Sequence, residues 1–164
     1  MPRTLCSFAL ALAALSAASL ARAESVQLSS LQVNNIVQSI GTPAVDKSAG
    51  GNTLTLNGEK FDHGLGLQTT SRVIINLKGG SDRFTATVGV DDEVKGQDGG
   101  TATFVVIADG QQVFPQGGGG AAPGRGRGGP PPVSAGATPQ KIDIDLKGVR
   151  MLVLETGPGN LAEE

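Results

Sequence analysis

Apolar and polar residues alternate with period two through much of the chain beyond residue 72. Val73, Ile75 and Leu77 alternate with Ile74 and Asn76, and Phe84, Ala86, Val88 and Val90 with Thr85, Thr87 and Gly89. Thr103, Val105 and Ile107 alternate with Phe104 and Val106, Ile142, Ile144 and Leu146 with Asp143 and Asp145, and Met151 and Val153 with Leu152 and Leu154. Successive side chains of a strand point to opposite faces, so each run predicts a strand with one buried face. Residues 104–107 are apolar on both faces, which predicts a central strand. Residues 142–145 predict a strand with a strongly polar outer face. Asn57-Gly58, Gly79-Gly80, Gly99-Gly100 and Asp109-Gly110 punctuate these runs as turns. No segment holds a helical period. Many short antiparallel strands at this spacing predict an all-β fold, a β-sandwich of jelly-roll type.

Two segments break the pattern. Residues 115–139 carry Gly or Pro at 15 of 25 positions. They offer too little apolar surface to offset the entropy of ordering, which predicts a flexible loop. Because Val113-Phe114 ends one strand and Ile142 begins another, the loop joins two strands, where added length costs little. At the other end of the chain, Arg3 precedes a run over residues 5–20 rich in Leu and Ala, followed by Ala21-Arg22-Ala23. This is the layout of a secretory signal peptide over residues 1–23, with cleavage after Ala23. The run is too short for a comfortable membrane span, so none is expected once it is removed.

Cleavage changes the composition. It takes away Cys6, the only cysteine, together with Arg3 and Arg22, leaving 141 residues with 11 basic and 15 acidic side chains. A mildly acidic, cysteine-free chain carrying an export signal is expected to be secreted or periplasmic, without disulfides. Its surface gives no reason to expect nucleic acid as a partner. Arg125-Gly126-Arg127 is like an RNA-binding RGG segment, yet two arginines are a thin footprint, and the stretch reads as a spacer.

Little catalytic chemistry is present. His63 is the only histidine, and with Asp62 and Gly64 it reads as a turn. No cysteine remains for a Cys–His centre, and zinc would find only carboxylates beside one imidazole. Asp91-Asp92-Glu93 is the densest acidic run. It reads as a solvated turn after the strand 84–90, as a structural calcium site built from hard oxygens, or as paired carboxylates for glycoside hydrolysis. Aromatic residues make up 3% of the chain; Phe61, Phe84, Phe104 and Phe114 are all that follow the signal segment, and Phe84 and Phe104 are expected in the core.

The order of motifs over residues 44–110 is specific. Asp46-Lys47-Ser48 and Gly51-Asn52 come first, then Leu54-Thr55-Leu56-Asn57-Gly58-Glu59-Lys60-Phe61, Gly64-Leu65-Gly66-Leu67 and Leu77-Lys78-Gly79-Gly80. Arg83-Phe84-Thr85-Ala86-Thr87-Val88-Gly89-Val90-Asp91-Asp92-Glu93, Phe104-Val105-Val106 and Asp109-Gly110 close the block. The segment resembles the NPCBM domain, a carbohydrate-binding module of glycoside hydrolase family 98 also attached to bacterial α-galactosidases. Residues 28–40 and 141–154 fit its first and late strands.

The resemblance implies a galactose-binding-like antiparallel sandwich with a non-catalytic role. It would bind a carbohydrate ligand, of galactose type, beside a glycoside hydrolase catalytic domain. It also implies a rim site, for which Asp62, His63, Gln68, Asp91, Asp92 and Glu93 are the candidates, with calcium at Asp91, Asp92 and Glu93 as a structural cofactor. Gln68-Thr69 stands where the family has a histidine and a small residue. The closing strand of the family, with its tryptophan, is expected to be missing. Two other readings stay open: a piece of an α-galactosidase-like hydrolase whose catalytic domain lies elsewhere, and an interaction sandwich that binds no sugar.

Overall fold

A computed structural model describes residues 24–31, 36–97, 100–115 and 131–159. The signal segment, and with it the cleavage expected after Ala23, lies outside the described residues. In the first half of the fold the strands are short: β1 (Ile36–Gln38), β2 (Ala44–Val45), β3 (Leu54–Leu56), β4 (Glu59–Phe61) and β5 (Leu65–Gly66). Longer strands follow, β6 (Ser71–Asn76), β7 (Arg83–Val88) and β8 (Thr101–Ala108). β9 (Gln111–Phe114), β10 (Val133–Ser134), β11 (Gln140–Asp145) and β12 (Met151–Pro158) complete the set.

The predicted alternation maps onto two antiparallel layers. One is a broad sheet in the order β1-β6-β12-β8-β10, with β9 pairing with β8. β12 pairs with β6 on one side and β8 on the other, so Leu154 stands opposite Val73 and Val106. Facing it, β11 pairs with β7; β2–β5 and the hairpin β3–β4 form two further short antiparallel pairs. β8 lies inside its sheet, as its two apolar faces require. The β3–β4 and β8–β9 hairpins turn on Asn57-Gly58 and Asp109-Gly110, all four residues at positive φ, the geometry of the tight two-residue hairpin. The Asp143 side of β11 carries the polar outer face. There Arg83 Nε donates to Asp143 Oδ1 at 2.6 Å across the pair, and Nη2 donates to Oδ2.

The tight core sits at one end of the space between layers. Leu146 and Leu152 are each 1% exposed and Val106 is 2% exposed, packed with Ala108 and Ile142. The segment 28–40 gives a 3-10 turn at Leu28–Ser30 and the strand Ile36–Gln38. Two expectations change here. Phe84 and Phe104, expected in the core, are only half-buried, because the space beside them is open. The loop expected over 115–139 ends earlier: Val133 pairs with Ala102 and is 4% exposed. The remainder of that stretch, 116–130, lies outside the described residues.

Candidate functional site

The rim around β2, β5 and the end of β7 gathers most of the candidate residues. β7 runs out through Gly89 and Val90 into the Asp92–Val94 3-10 turn, which Asp91 caps by accepting from Glu93 N at 2.9 Å. The other oxygen of Asp91 accepts from Thr55 N at 2.9 Å. Asp92 accepts from Asn57 N at 3.1 Å and Gly58 N at 2.7 Å, closing over the β3–β4 hairpin. Glu93 reaches a third segment. Its Oε2 accepts from Ser48 Oγ at 2.6 Å and Asn52 Nδ2 at 3.0 Å, and its Oε1 from Gly50 N at 2.9 Å.

The acidic run is therefore a clamp. Three adjacent carboxylates each hold a different piece of backbone, and their oxygens are committed to N–H and O–H donors. Charge-assisted bonds of this kind are among the stronger ones in proteins. Burial pushes the Glu93 carboxyl up, but the bonds from Ser48, Asn52 and Gly50 together outweigh it and hold it below its usual range. Asp91, Asp92 and Glu93 diverge, and among the described residues no group of three or more His, Cys, Asp or Glu side chains converges as metal ligands.

The same clamp positions β5. Ser48 is fully buried, and its hydroxyl also accepts from Asn52 N at 3.0 Å. Gly66 passes so close that a Cβ on it would lie 2.2 Å from Lys47 O, so no other residue fits. Sequence reasoning missed Ser48 and Asn52, whose i, i+4 spacing is the only local signal they give.

Asp62 and His63 lie in the turn between β4 and β5, both exposed. His63 Nδ1 is 3.5 Å from Asp46 Oδ2, and Asp46 Oδ1 accepts from Gly64 N at 3.0 Å. The Gly64 N–H, followed by the Ser29 hydroxyl and His63, holds the Asp46 carboxyl below its usual range. Asp46 was not among the sequence candidates, yet it orients the imidazole. Gln68 stands beyond the other end of β5 and is exposed. Gln68 Cγ and Gln38 Nε2 both come within 3.6 Å of the point where a side chain on Gly41 would begin. The structure thus brings Asp62 and His63 together, joins Asp91, Asp92 and Glu93 in the clamp, and sets Gln68 apart across β5.

The motif order, the two-layer topology and this rim decide the family, because an NPCBM/NEW2 domain matches residues 24–163. The chain belongs to the NPCBM/NEW2 family. The match opens at the residue after the predicted cleavage site. This NPCBM chain is similar to the CBM51 of a Clostridium perfringens GH95 in complex with methyl-galactose. The TM-score is 0.67 at 27% identity, over 82% of this chain and 88% of that one. It also shares its fold with CBM51-2 of Clostridium perfringens ZmpB in complex with GlcNAc, at 20% identity and TM-score 0.67, over 82% of this chain and 27% of that one. The tandem CBM51 modules of the Streptococcus pneumoniae family 98 glycoside hydrolase Sp3GH98 match at 20% identity and TM-score 0.59, over 84% of this chain and 42% of that one. No curated protein matches the chain. No helix among the described residues is long and apolar enough to cross a membrane.

Proposed function

We propose that this NPCBM domain is an exported, non-catalytic carbohydrate-binding module for galactose-type glycans, acting beside a glycoside hydrolase. The observation that carries the reading is the likeness, over 82% of the chain, to a module solved with methyl-galactose. The family match beginning at residue 24 supports an export signal in residues 1–23.

Asp62, His63 and Gln68 are the candidates whose side chains face solvent, and they are the groups assigned to glycan hydroxyls. Asp91, Asp92 and Glu93 act behind them by fixing the loops. The mode is hydrogen bonding by a pre-set polar rim, with the aromatic Phe61 next to Asp62 at the end of β4. Isothermal calorimetry of residues 24–164 with methyl-galactoside tests the reading. Saturable binding, weakened at least tenfold by His63→Ala without loss of folding, is expected. A well-folded protein that binds neither this sugar nor any member of a glycan array would overturn it.

A further inference from the structure

The β3–β4 hairpin turns on Asn57-Gly58, and a two-residue turn of this type demands positive φ at both positions, here 50° and 84°. Asn-Gly meets that demand. It is also the dipeptide most prone to close on itself, because glycine puts no side chain in the way of the ring. The chain has no other Asn-Gly. Both residues are exposed, and nothing lies within 4 Å of the point where a side chain on Gly58 would begin. Packing therefore gives the pair no cover, and hydrogen bonding does. The attacking atom would be Gly58 N, whose N–H donates to Asp92 Oδ2 at 2.7 Å, while Asn57 N donates to Oδ1 at 3.1 Å. The β8–β9 hairpin, on Asp109-Gly110, has the same backbone geometry and ties down the other reacting group. There the Asp109 carboxylate accepts from Arg150 N and Met151 N.

We propose that Asn57-Gly58 is a site of spontaneous deamidation and that the Asp92 carboxylate is the group that holds it in check. In the reaction Gly58 N gives up its proton to a solvent base and bonds to Asn57 Cγ. The Cγ–Nδ2 bond breaks and ammonia leaves, giving a five-membered succinimide. Water then opens the ring at one carbonyl or the other, leaving aspartate or isoaspartate at position 57. Nothing is oxidised or reduced. Asp92 opposes the first step in two ways. A proton held in a charge-assisted hydrogen bond is harder to remove, and the carboxylate stands beside the anion that its removal would create. Once the step has occurred it is not undone, because the ammonia is lost. The product brings a second carboxylate beside Asp92, and isoaspartate adds one carbon to the backbone of a two-residue turn. The hairpin then loses its hold on the Asp92–Val94 turn. The inference does not depend on what the rim binds.

The test holds residues 24–164 at mildly alkaline pH and follows conversion at Asn57 by peptide mapping with mass spectrometry. Labelling by an isoaspartyl methyltransferase counts the isoaspartate. A synthetic peptide of residues 53–61 gives the rate without Asp92. The folded chain is expected to convert at least tenfold more slowly than the peptide. Asp92→Ala is expected to convert roughly tenfold faster than wild type, as the loss of a hydrogen bond to a charged group requires. Asp92→Asn, which keeps an acceptor without the charge, is expected to fall between them. Glu93→Gln weakens the neighbouring part of the clamp and leaves the bonds of Asp92 in place, so its conversion is expected to match wild type. Three results would each overturn the proposal: wild type converting as fast as the peptide, Asp92→Ala converting as slowly as wild type, or Asp92→Ala and Glu93→Gln converting equally fast. The last would assign the protection to the fold as a whole.

Discussion

The two ends of the space between the layers are built from the same kinds of residue, yet they differ in packing. At one end Leu146, Leu152 and Ala108 are buried to within 8% exposure. At the other, Phe84, Val88, Phe104 and Leu154 border a cavity and stay half-buried. The difference does not lie in hydrophobicity. At the packed end β11, its exit through Leu146 and the β8–β9 hairpin close the layer, and Leu146 N and Val149 N are tied into turns with Asp82 O and Leu146 O. At the open end, among the described residues, β7 pairs only with β11 and β5 only with β2. The polar clamp of Asp91, Asp92 and Glu93 sits at this open end, where it holds loops that a core would otherwise hold. A buried apolar face needs a partner of matching area, and where topology does not supply one, hydrogen-bonded carboxylates carry more of the organisation.

Truncations on one strand face give the largest contrast. Leu152 and Leu154 are two positions apart on β12 and both point inward. Leu152→Ala is expected to cost about 3–4 kcal/mol, the range for a fully packed leucine, and Leu154→Ala about 1–2 kcal/mol, because its site is already partly hollow. Urea denaturation of both variants measures this, and equal costs would erase the distinction between the two ends. Enlarging substitutions run the other way. Ala108→Leu at the packed end is expected to cost about 1–3 kcal/mol by overpacking, whereas Ala86→Leu, which points into the cavity, is expected to be neutral or stabilising. Thermal midpoints of the two variants decide this, and a large loss for Ala86→Leu would show that the cavity is not real space.

The clamp gives a third contrast, through pH. Glu93 has a folded pKa below its usual value of 4.5. Its contribution is therefore fully present above pH 4.5 and is lost as pH falls below that value through the folded pKa. Glu93→Gln is expected to lower stability at pH 7 by about 1–2 kcal/mol. The difference between wild type and variant should shrink as pH falls below 4.5 in a series of thermal melts. The smallest effect belongs to Arg83→Ala. The Arg83–Asp143 pair is solvent-exposed, with side chains 67% and 53% accessible. Its loss is expected to leave the melting midpoint nearly unchanged, and any difference should vanish in high salt.

The strands β6, β7, β8, β11 and β12 were legible in the sequence to within a few residues, because alternation reports the one buried face of β6, β7 and β11 directly and a run of apolar residues marks the interior strands β8 and β12. The hairpin turns were legible for the same local reason. What lay beyond reach depends on distance along the chain. Asp91-Asp92-Glu93 looks the same in sequence whether it faces solvent, calcium or backbone; its donors are Thr55, Asn57 and Ser48, 35 to 45 residues away. The half-burial of Phe84 and Phe104 depends on a neighbouring strand position, which composition cannot report. Of the rim, His63 was visible as the only histidine, while Asp46, which holds it, was not.

The central claim is that a sugar meets the exposed rim at Asp62, His63 and Gln68 and leaves the apolar residues between the layers alone. Chemical-shift mapping of ¹⁵N-labelled residues 24–164 during titration with methyl-galactoside tests it most directly. The account predicts saturable shifts centred on residues 62–64 and 68, with Val106, Leu146 and Leu152 unmoved. Shifts centred on the cavity-lining residues 84–88 and 104, or none at all at millimolar sugar, would contradict it.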